Sequence, residues 1–307
     1  MENFKLSFTD NTTFYGKDLE GFFATALLTG DSKSEFKLIP NIKSKAKLGQ
    51  LNIGNILQAA DCTFSNTGEG TLAQKSVEVE PVKINLSYCK RTFETDYLSN
   101  ILRPGSNTGE VMPASVESFL LEQVALKVSA DLEQVAWKGD TGTASYPLSI
   151  ADGLEKLFLA DAAVLDVSAT ASAITKANVV AELTRVYDAI PEQLIGAEDM
   201  RIFVSSSIYR SYRQALADSS SEVNFMQNYG ELHFLDVKIV KANGLSAKKM
   251  VAARTSNLLL LTDLVSDFEA ISILPQSNVT GEPTVRLVGE FKIGFNYIYG
   301  SEVVYYN

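Results

Sequence analysis

Residues 115–142 read SVESFLLEQVALKVSADLEQVAWKGDTG, and this stretch decides the fold. It carries an apolar residue at every third or fourth position, and charged residues are spread over the remaining positions. The apolar residues are Val116, Leu120, Val124, Val128, Leu132 and Val135, and the charged residues include Glu117, Glu122, Lys127, Glu133 and Lys138. Because this spacing places the apolar side chains on one face of a helix, the sequence predicts a single helix from about Ser115 to Trp137. Roughly 23 residues at 1.5 Å of rise make a rod about 35 Å long.

The letters that follow this helix allow more than one interpretation. Lys138 and Gly139 predict a helix stop, with a cation in the last turn and a glycine in the left-handed conformation. Asp140-Thr141-Gly142 is also the aspartic protease triplet, but that site needs an apolar strand before the aspartate and a second carboxylate to share its proton. A phosphate-binding loop needs a strand before the glycines and a helix after them, and here the order is reversed. We therefore expect Gly139, Asp140 and Gly142 to form a turn that Asp140 braces, with a hydrolase using Asp140 as a remote alternative.

The composition is that of a folded, acidic chain. Of its 307 residues 46% are hydrophobic, which is enough for one large core or two smaller ones. The formal net charge of -10 argues against a protein that coats nucleic acid, because such binding needs clustered cations. No basic and apolar leader opens the sequence, and no run of about 18 apolar residues occurs in it. We expect a soluble protein made in the cytosol, without membrane contact.

The sequence does not favour the common catalytic and metal sites. Cys62 and Cys89 have no CxxC spacing, so they predict neither a disulfide framework nor a zinc or redox site. The single histidine, His233, lies in an alternating apolar stretch and is expected on a strand face. One histidine excludes multi-histidine zinc sites, and no G-x-S-x-G elbow presents a serine to it. The serines at 205–207 lie between a strand and a helix, where capping is the favoured role. We expect no catalytic residue, cofactor or metal.

Before the long helix, the sequence predicts strands with little core of their own. Residues 1–47 mix short polar and apolar runs and end in the basic stretch IKSKAK, which is typical of an extended arm. Residues 48–90 predict a long hairpin, in which Asn66, Gly68 and Gly70 supply turn chemistry at a polar tip. The residues that alternate after this tip are Val77, Val79, Val82, Ile84 and Leu86. Such a hairpin is marginal alone in water, so we expect it to rest on another part of the protein or on a neighbouring subunit.

After the long helix, the chain alternates between helices and strands. DGLEKLFLADA and ITKANVVAELTRVYDAIPEQLI predict helices. A buried strand at 202–204 then leads into a helix on which Arg210 and Arg213 are expected to be solvated or to contact another subunit. From LHFLDVKIV at 232–240 onward, aromatic and β-branched residues predict strands of a twisted sheet. The apolar stripe expected on the second helix is Ala177, Val180, Leu183, Val186 and Ile190.

In this order of elements the chain resembles the major capsid proteins of tailed bacteriophages, whose Hong Kong 97-type fold is shared with encapsulin nanocompartments. VEVEPVKINLSYCKRTFETDYL resembles the strand that leaves the family's E-loop hairpin and enters its spine helix. ESFLLEQVALKVSADLEQVAWKGDTGT resembles the spine helix and its Gly-Asp-Gly turn, although Thr141 stands in the third place and glycine is displaced to Gly142. VYDAIPEQLIGAEDMRIFVSSSIYRSYRQAL resembles the axial-domain helix, strand and helix, and LHFLDVKIVKANGLSAKKMVAARTSNLLL resembles the next strands. No single motif is diagnostic, and their order over nearly the whole chain carries the resemblance.

The resemblance implies an α+β fold with named parts. They are an N-terminal arm at 1–47, an E-loop hairpin at 48–90, a peripheral domain with the spine helix at 91–145, an axial domain at 146–255, and C-terminal strands at 256–307 that return to the peripheral and axial sheets. Assembly contacts are expected at Asn66, Gly68, Gly70, Lys75, Arg210 and Arg213. Some members link subunits covalently through lysine and asparagine, and Lys75 and Asn296 are of those types without being specific for such a link.

The implied function is structural. Hexamers and pentamers of the chain are expected to close an icosahedral shell around double-stranded DNA, which is packaged without sequence specificity in the bacterial host cytoplasm. Portal, scaffolding and decoration proteins are the expected partners, with scaffolding supplied by a separate protein or by a segment already removed. An encapsulin-type nanocompartment, whose N-terminal helix docks cargo, is the alternative.

Overall fold

The computed structural model describes residues 32–54, 57, 70–89, 114–218, 231–263, 272–276, 281–282 and 284–307. Thirteen strands and four α-helices lie in these residues. The strands are β1 (Lys37–Ile39), β2 (Lys45–Ile53), β3 (Gly70–Glu78), β4 (Glu80–Cys89), β5 (Leu165–Val167), β6 (Met200–Ser205), β7 (His233–Phe234), β8 (Val237–Ala242), β9 (Met250–Arg254), β10 (Leu258–Thr262), β11 (Ser272–Pro275), β12 (Thr284–Tyr297) and β13 (Val304–Tyr306). The helices are α1 (Ala114–Lys138), α2 (Leu154–Ala160), α3 (Val179–Asp188) and α4 (Ser206–Asp218). The predicted α+β class is confirmed.

A five-stranded sheet is built around β12. β12 pairs antiparallel with β10 through its C-terminal half, with β11 through its N-terminal half, and with β4 through most of its length. β1 adds to the far side of β10 as a parallel strand. β12 is 14 residues long, and its last five residues are all buried. Its C-terminal end therefore lies in the core, whereas its N-terminal end lies at the surface.

A six-stranded sheet, in the order β5-β13-β9-β6-β8-β7, is covered on both faces. Phe203 and Val251 project from one face into a core formed with the end of α1 and with α2. Ile202 and Met250 project from the other face into a second core formed with α3 and α4. Since neighbouring strand residues point to opposite faces, the nearly continuous apolar runs of β6 and β9 follow from this double burial.

The hairpin is shorter than the sequence predicted. β2 and β3 pair antiparallel from Lys45 opposite Glu78 to Ile53 opposite Gly70. β4 does not continue this hairpin, because it pairs with β12 in the five-stranded sheet. The predicted tip residues Asn66 and Gly68 lie outside the described residues.

The last part of the predicted arm is packed into the body of the protein. Phe36 is buried between Trp137 and Phe203, with ring centroids 5.6 and 5.9 Å away. β1 pairs with β10, and Ile42 joins the small core under the hairpin. The sequence analysis missed these contacts because apolar and polar residues alternate in this segment over only a few residues at a time.

Two local predictions were wrong in part. Of the predicted stripe, Leu183, Val186 and Ile190 are buried, whereas Ala177 and Val180 are exposed. Val179 and Glu182 of α3 are buried in their place. LHFLDVKIV is two short antiparallel strands, with Phe234 paired to Val237 across a tight turn. Among the described residues, no helix is long and apolar enough to cross a membrane.

Candidate functional site

The end of α1 is held by backbone contacts that only glycine permits. The Gly139 N–H donates to the Val135 carbonyl, and the Gly139 carbonyl accepts from the Gly153 N–H at 2.8 Å. A Cβ on Gly139 would lie 2.2 Å from the Ala151 carbonyl oxygen. Gly139 does not have a positive φ, so the predicted left-handed conformation is wrong. The glycine is required because a second chain segment approaches it, as at Gly244, where a Cβ would lie 1.9 Å from the Glu133 carbonyl oxygen.

Asp140 braces the turn after α1. Its Oδ1 accepts from the Gly142 N–H at 2.9 Å and from Lys156 Nζ at 2.7 Å. Lys156 also donates to Asp152, whose Oδ1 accepts from the backbone N–H and the hydroxyl of Thr141. The hydrogen bond from Lys156, followed by that from Gly142, lowers the pKa of Asp140 below its ordinary value. The turn is therefore a closed network of one lysine and two ionised carboxylates.

The last turns of α1 contact the segment before β1 through a buried polar cluster. Trp137 Nε1 donates to Ser32 Oγ at 2.8 Å, and Ser32 Oγ donates to Glu133 Oε1. Lys33 Nζ donates to the Ser129 carbonyl at 2.8 Å and to its hydroxyl at 3.2 Å. All five side chains are buried, including Glu133, which the sequence pattern had placed away from the apolar face of the helix.

The two charges of this buried cluster have shifted pKa values. Burial lowers the pKa of the Lys33 ammonium to about 8, and the nearby Glu133 carboxylate opposes this shift. Burial raises the pKa of Glu133, although Ser32 and Lys33 oppose it. The segment at 32–36 is thus fixed to α1 by polar groups whose charges depend on each other.

The hairpin docks on the C-terminal end of β12. Lys75 of β3 places Nζ 3.1 Å from the centre of the Tyr297 ring, and Gln50 of β2 donates to the Ile298 carbonyl. The Tyr297 hydroxyl donates to Asp161 Oδ2 at 2.6 Å. Lys75, which the sequence proposed as an assembly contact, is therefore engaged within its own chain.

The remaining predicted positions are not brought together. Arg210 and Arg213 are exposed on α4, and Gly70 is exposed at the start of β3 without a positive φ. His233 is exposed on β7, on a strand face as expected. Nothing in the sequence alone indicated the pairing of Tyr297 with Asp161, because these residues are distant in sequence and of common types.

The serine run at 205–207 makes local hydrogen bonds. Ser205 and Ser207 share one at 3.1 Å, and Ser206 donates to Asn243 at 2.7 Å. Within the described ranges, no group of three or more His, Cys, Asp or Glu side chains could hold a metal ion. The arrangements of polar residues at α1 and β12 fix chain segments to one another.

Solved structures share this fold. No protein-family model matches the sequence, and no curated protein matches it. A chain of the satellite phage P4 procapsid, a particle that includes the size determination protein Sid, matches with a TM-score of 0.59 at 13% identity, over 94% of this chain and 98% of that one. A chain of the capsid of the native GTA particle matches with a TM-score of 0.56 at 12% identity, over 100% of this chain and 95% of that one. A virus-like particle from Pyrococcus furiosus matches with a TM-score of 0.51 at 11% identity, over 92% and 96%.

These matches define the class of fold. They run nearly from end to end in both chains, so the whole order of elements is shared. The chain has the fold of proteins that form phage and GTA capsids.

Proposed function

We propose that the chain is the structural major capsid protein of a tailed bacteriophage. It assembles through hexamers and pentamers into an icosahedral shell that encloses double-stranded DNA. The observation that carries this proposal is the end-to-end match of the fold to chains of a phage procapsid and of a GTA capsid.

The parts of the Hong Kong 97-type fold are assigned from the elements. In this assignment α1 is the spine helix, and β2 with β3 forms the base of the E-loop. The five-stranded sheet belongs to the peripheral domain, and the six-stranded sheet with α3 and α4 belongs to the axial domain. The turn at Gly139, Asp140 and Gly142 joins the spine to the axial domain, and its hydrogen-bond network supports that role.

Self-association is supported by the exposed apolar side chains of the hairpin. Leu51 and Leu72 are directly opposite each other in the β2–β3 ladder, and they are 57% and 65% exposed. Contact with another subunit would remove both side chains from water, which is favourable. Under this proposal, the contacts between subunits involve the hairpin, with Gly70 at the start of β3, and Arg210 and Arg213 on the exposed side of α4.

The partners follow from the proposed role. The chain associates with itself, with a portal, with scaffolding and decoration proteins, and with packaged DNA, and it resides in the virion after assembly in the bacterial cytoplasm. Its net charge of -10 favours a wall that does not adhere to the genome.

Electron microscopy of the purified full-length protein tests the proposal. We expect closed shells, or isolated rings with fivefold and sixfold symmetry. A species that stays monomeric at high protein concentration contradicts it.

An encapsulin-type shell is the second candidate, and the match to the Pyrococcus furiosus virus-like particle favours it. That match has a lower TM-score than those to the phage and GTA chains. The contents of purified shells separate the two, since a capsid holds DNA and a nanocompartment holds a cargo protein. A hydrolase using Asp140 has less support, because Oδ1 of its carboxylate already accepts from Lys156 and from the Gly142 N–H.

A further inference from the structure

The turn between β7 and β8 holds an exposed leucine in a backbone conformation that leucine disfavours. Leu235 has a φ of 54°, and its side chain is 69% exposed. Glycine, asparagine and aspartate are the usual residues at positive φ, because a Cβ crowds the backbone there and short polar side chains offset this by local hydrogen bonds. A single exposed leucine is common on protein surfaces, but here the folded chain bears backbone strain as well. Burial of this side chain against another molecule would compensate for both costs.

Leu235 lies at one end of the six-stranded sheet, together with the loop that precedes β6. β6 and β8 pair in parallel, so the segments that enter these two strands lie at the same end of the sheet. The end of α3 is there too, since the Tyr187 hydroxyl donates to Asp236 Oδ1 at 2.9 Å. Ile195, in the loop before β6, is 39% exposed. This end of the sheet therefore presents two exposed apolar side chains.

The same segments carry exposed carboxylates. Asp188 ends α3, and Glu192 and Glu198 lie in the loop before β6. None of the three has an ion-pair partner among the described residues. Asp188, Glu192, Ile195, Glu198 and Leu235 are together called the acidic end. Its charges repel one another without a counter-charge, so the acidic end favours a cationic partner.

The exposed side of α4 has the opposite charge. Arg210 and Arg213 are three residues apart on this helix, so their side chains are neighbours on its surface. Both are exposed, and neither forms an ion pair within the part of the chain that the structure describes. In a chain with a net charge of -10, they form a local cationic site. α4 covers one face of the six-stranded sheet, whereas the acidic end lies at the ends of its strands, so these are different surfaces of the protein.

We propose that the acidic end of one copy docks on α4 of a second copy. Leu235 is buried between the two chains, and the carboxylates pair with Arg210 and Arg213. Arginine binds carboxylates through two parallel hydrogen bonds, and complementary charges fix the orientation of a contact. Because the two surfaces differ, the contact is head-to-tail, and copies joined in this way form a ring when the rotation closes. The proposal rests on the proposed capsid function, which requires rings of subunits.

Paired charge reversals in the full-length chain test which surfaces meet. Arg210→Glu with Arg213→Glu should abolish rings and shells at protein concentrations where the wild type forms them, since carboxylates then face carboxylates. Glu192→Arg with Glu198→Arg should do the same, because arginines then face arginines. The chain with all four substitutions should form rings and shells again, since opposite charges face each other once more. Analytical ultracentrifugation and electron microscopy measure assembly, and far-UV circular dichroism checks that each variant is folded.

Two further variants separate this contact from general effects. Lys37→Glu with Lys83→Glu alters two exposed lysines of the five-stranded sheet, changes the net charge as much as the arginine pair does, and should assemble normally. Leu235→Asn should leave the urea midpoint of the unassembled chain unchanged or raise it, because asparagine adopts a positive φ more readily. The protein concentration needed for assembly should nevertheless rise roughly tenfold or more, because the burial of a leucine side chain is lost.

The outcomes distinguish this contact from the proposed function. Normal assembly of either reversed pair, or an assembly concentration that Leu235→Asn leaves unchanged, overturns the inference and leaves the proposed capsid function intact. A chain with all four substitutions that stays unassembled overturns the pairing of these two surfaces. A wild type that forms neither rings nor shells contradicts the proposed capsid function, and the inference with it.

Discussion

Gly139 shows how a single residue fixes the path of the chain after the long helix. A Cβ added to Gly139 would lie 2.2 Å from the Ala151 carbonyl oxygen and 2.6 Å from the Val135 carbonyl oxygen. Both are backbone atoms, so neither can rotate away. We expect Gly139→Ala to lower the free energy of unfolding by about 3 kcal/mol, because the 148–153 segment must move off the helix end. Urea denaturation followed by the fluorescence of Trp137, which is completely buried, measures this change.

A matched glycine serves as the control for this prediction. A Cβ on Gly49 would meet nothing closer than Leu72 Cδ1 at 3.7 Å, an ordinary contact. Gly49→Ala should therefore change the free energy of unfolding by about 0.5 kcal/mol or less. Equal effects of the two substitutions would show that close backbone approach is not the reason for glycine at 139.

The buried charges of Lys33 and Glu133 should depend on each other. Each charge shifts the pKa of the other toward the ionised form, and Glu133 Oε2 has no hydrogen-bond partner within the described structure. Removing one charge takes away an attraction that offsets part of the cost of burying the other, so Lys33→Met and Glu133→Gln should each destabilise the protein by about 3 kcal/mol. The double variant should be more stable than the sum of the two effects predicts, by about 1 to 3 kcal/mol. A double-mutant cycle in urea measures this coupling, and additive effects would contradict it.

At the scale of elements, the short strand β13 is joined to α3 by one buried carboxylate. Glu182 accepts from the Tyr306 hydroxyl at 2.8 Å and from Thr170, and Arg185 lies 3.5 Å away. Burial by itself raises the pKa of Glu182, but the hydrogen bonds from Thr170 and Tyr306 and the charge of Arg185 together lower it below its ordinary value. Glu182 therefore contributes stability that is present above about pH 4.5 and is lost as the pH falls through its lower, folded-state pKa.

Tyr306→Phe tests this link between strand and helix. It removes one donor to a buried carboxylate, so we expect a loss of about 1 to 3 kcal/mol at pH 7. The loss should shrink as the pH falls through the lowered, folded-state pKa of Glu182, because protonation removes the charge that the hydroxyl stabilises. Urea denaturation at a series of acidic pH values, compared with pH 7, measures this change. A loss that stays the same throughout the series would show that the hydroxyl does not act through the charge of Glu182.

The sequence was a good guide to elements and a poor guide to the contacts between them. The period of α1 predicted its bounds to within a residue at each end, because a long helix repeats its apolar stripe many times. The turn at Leu235 was missed, since a leucine with φ of 54° gives none of the usual turn signals. The burial of Glu133 was not predicted, because periodicity within one helix does not show that the segment at 32–36 covers that side. The burial of Tyr297 and the close backbone contact at Gly153 were also missed, because both come from segments that are distant in sequence.

At the scale of the whole molecule, the six-stranded sheet and the hairpin differ in how much of their surface the chain itself covers. The six-stranded sheet is covered on both faces by the chain's own helices, whereas the hairpin covers the body with one face and leaves the other exposed. An acidic, folded chain with one thin exposed element is suited to assembly, because burial that the chain cannot provide alone becomes available between copies.

Under the proposed capsid function, assembly should depend on the exposed apolar pair of the hairpin. We expect Leu51→Asp combined with Leu72→Asp to prevent shell formation and to leave small, folded species, because two carboxylates directly opposite each other repel and cannot be buried between subunits. The fold should survive, since both side chains are exposed and the hairpin is anchored at Val77. Analytical ultracentrifugation measures particle formation, and far-UV circular dichroism checks the fold. Leu159→Asp, on α2 and 62% exposed, is the matched control and should still assemble. Normal yields of shells from the double variant would exclude the outer face of the hairpin as an assembly contact.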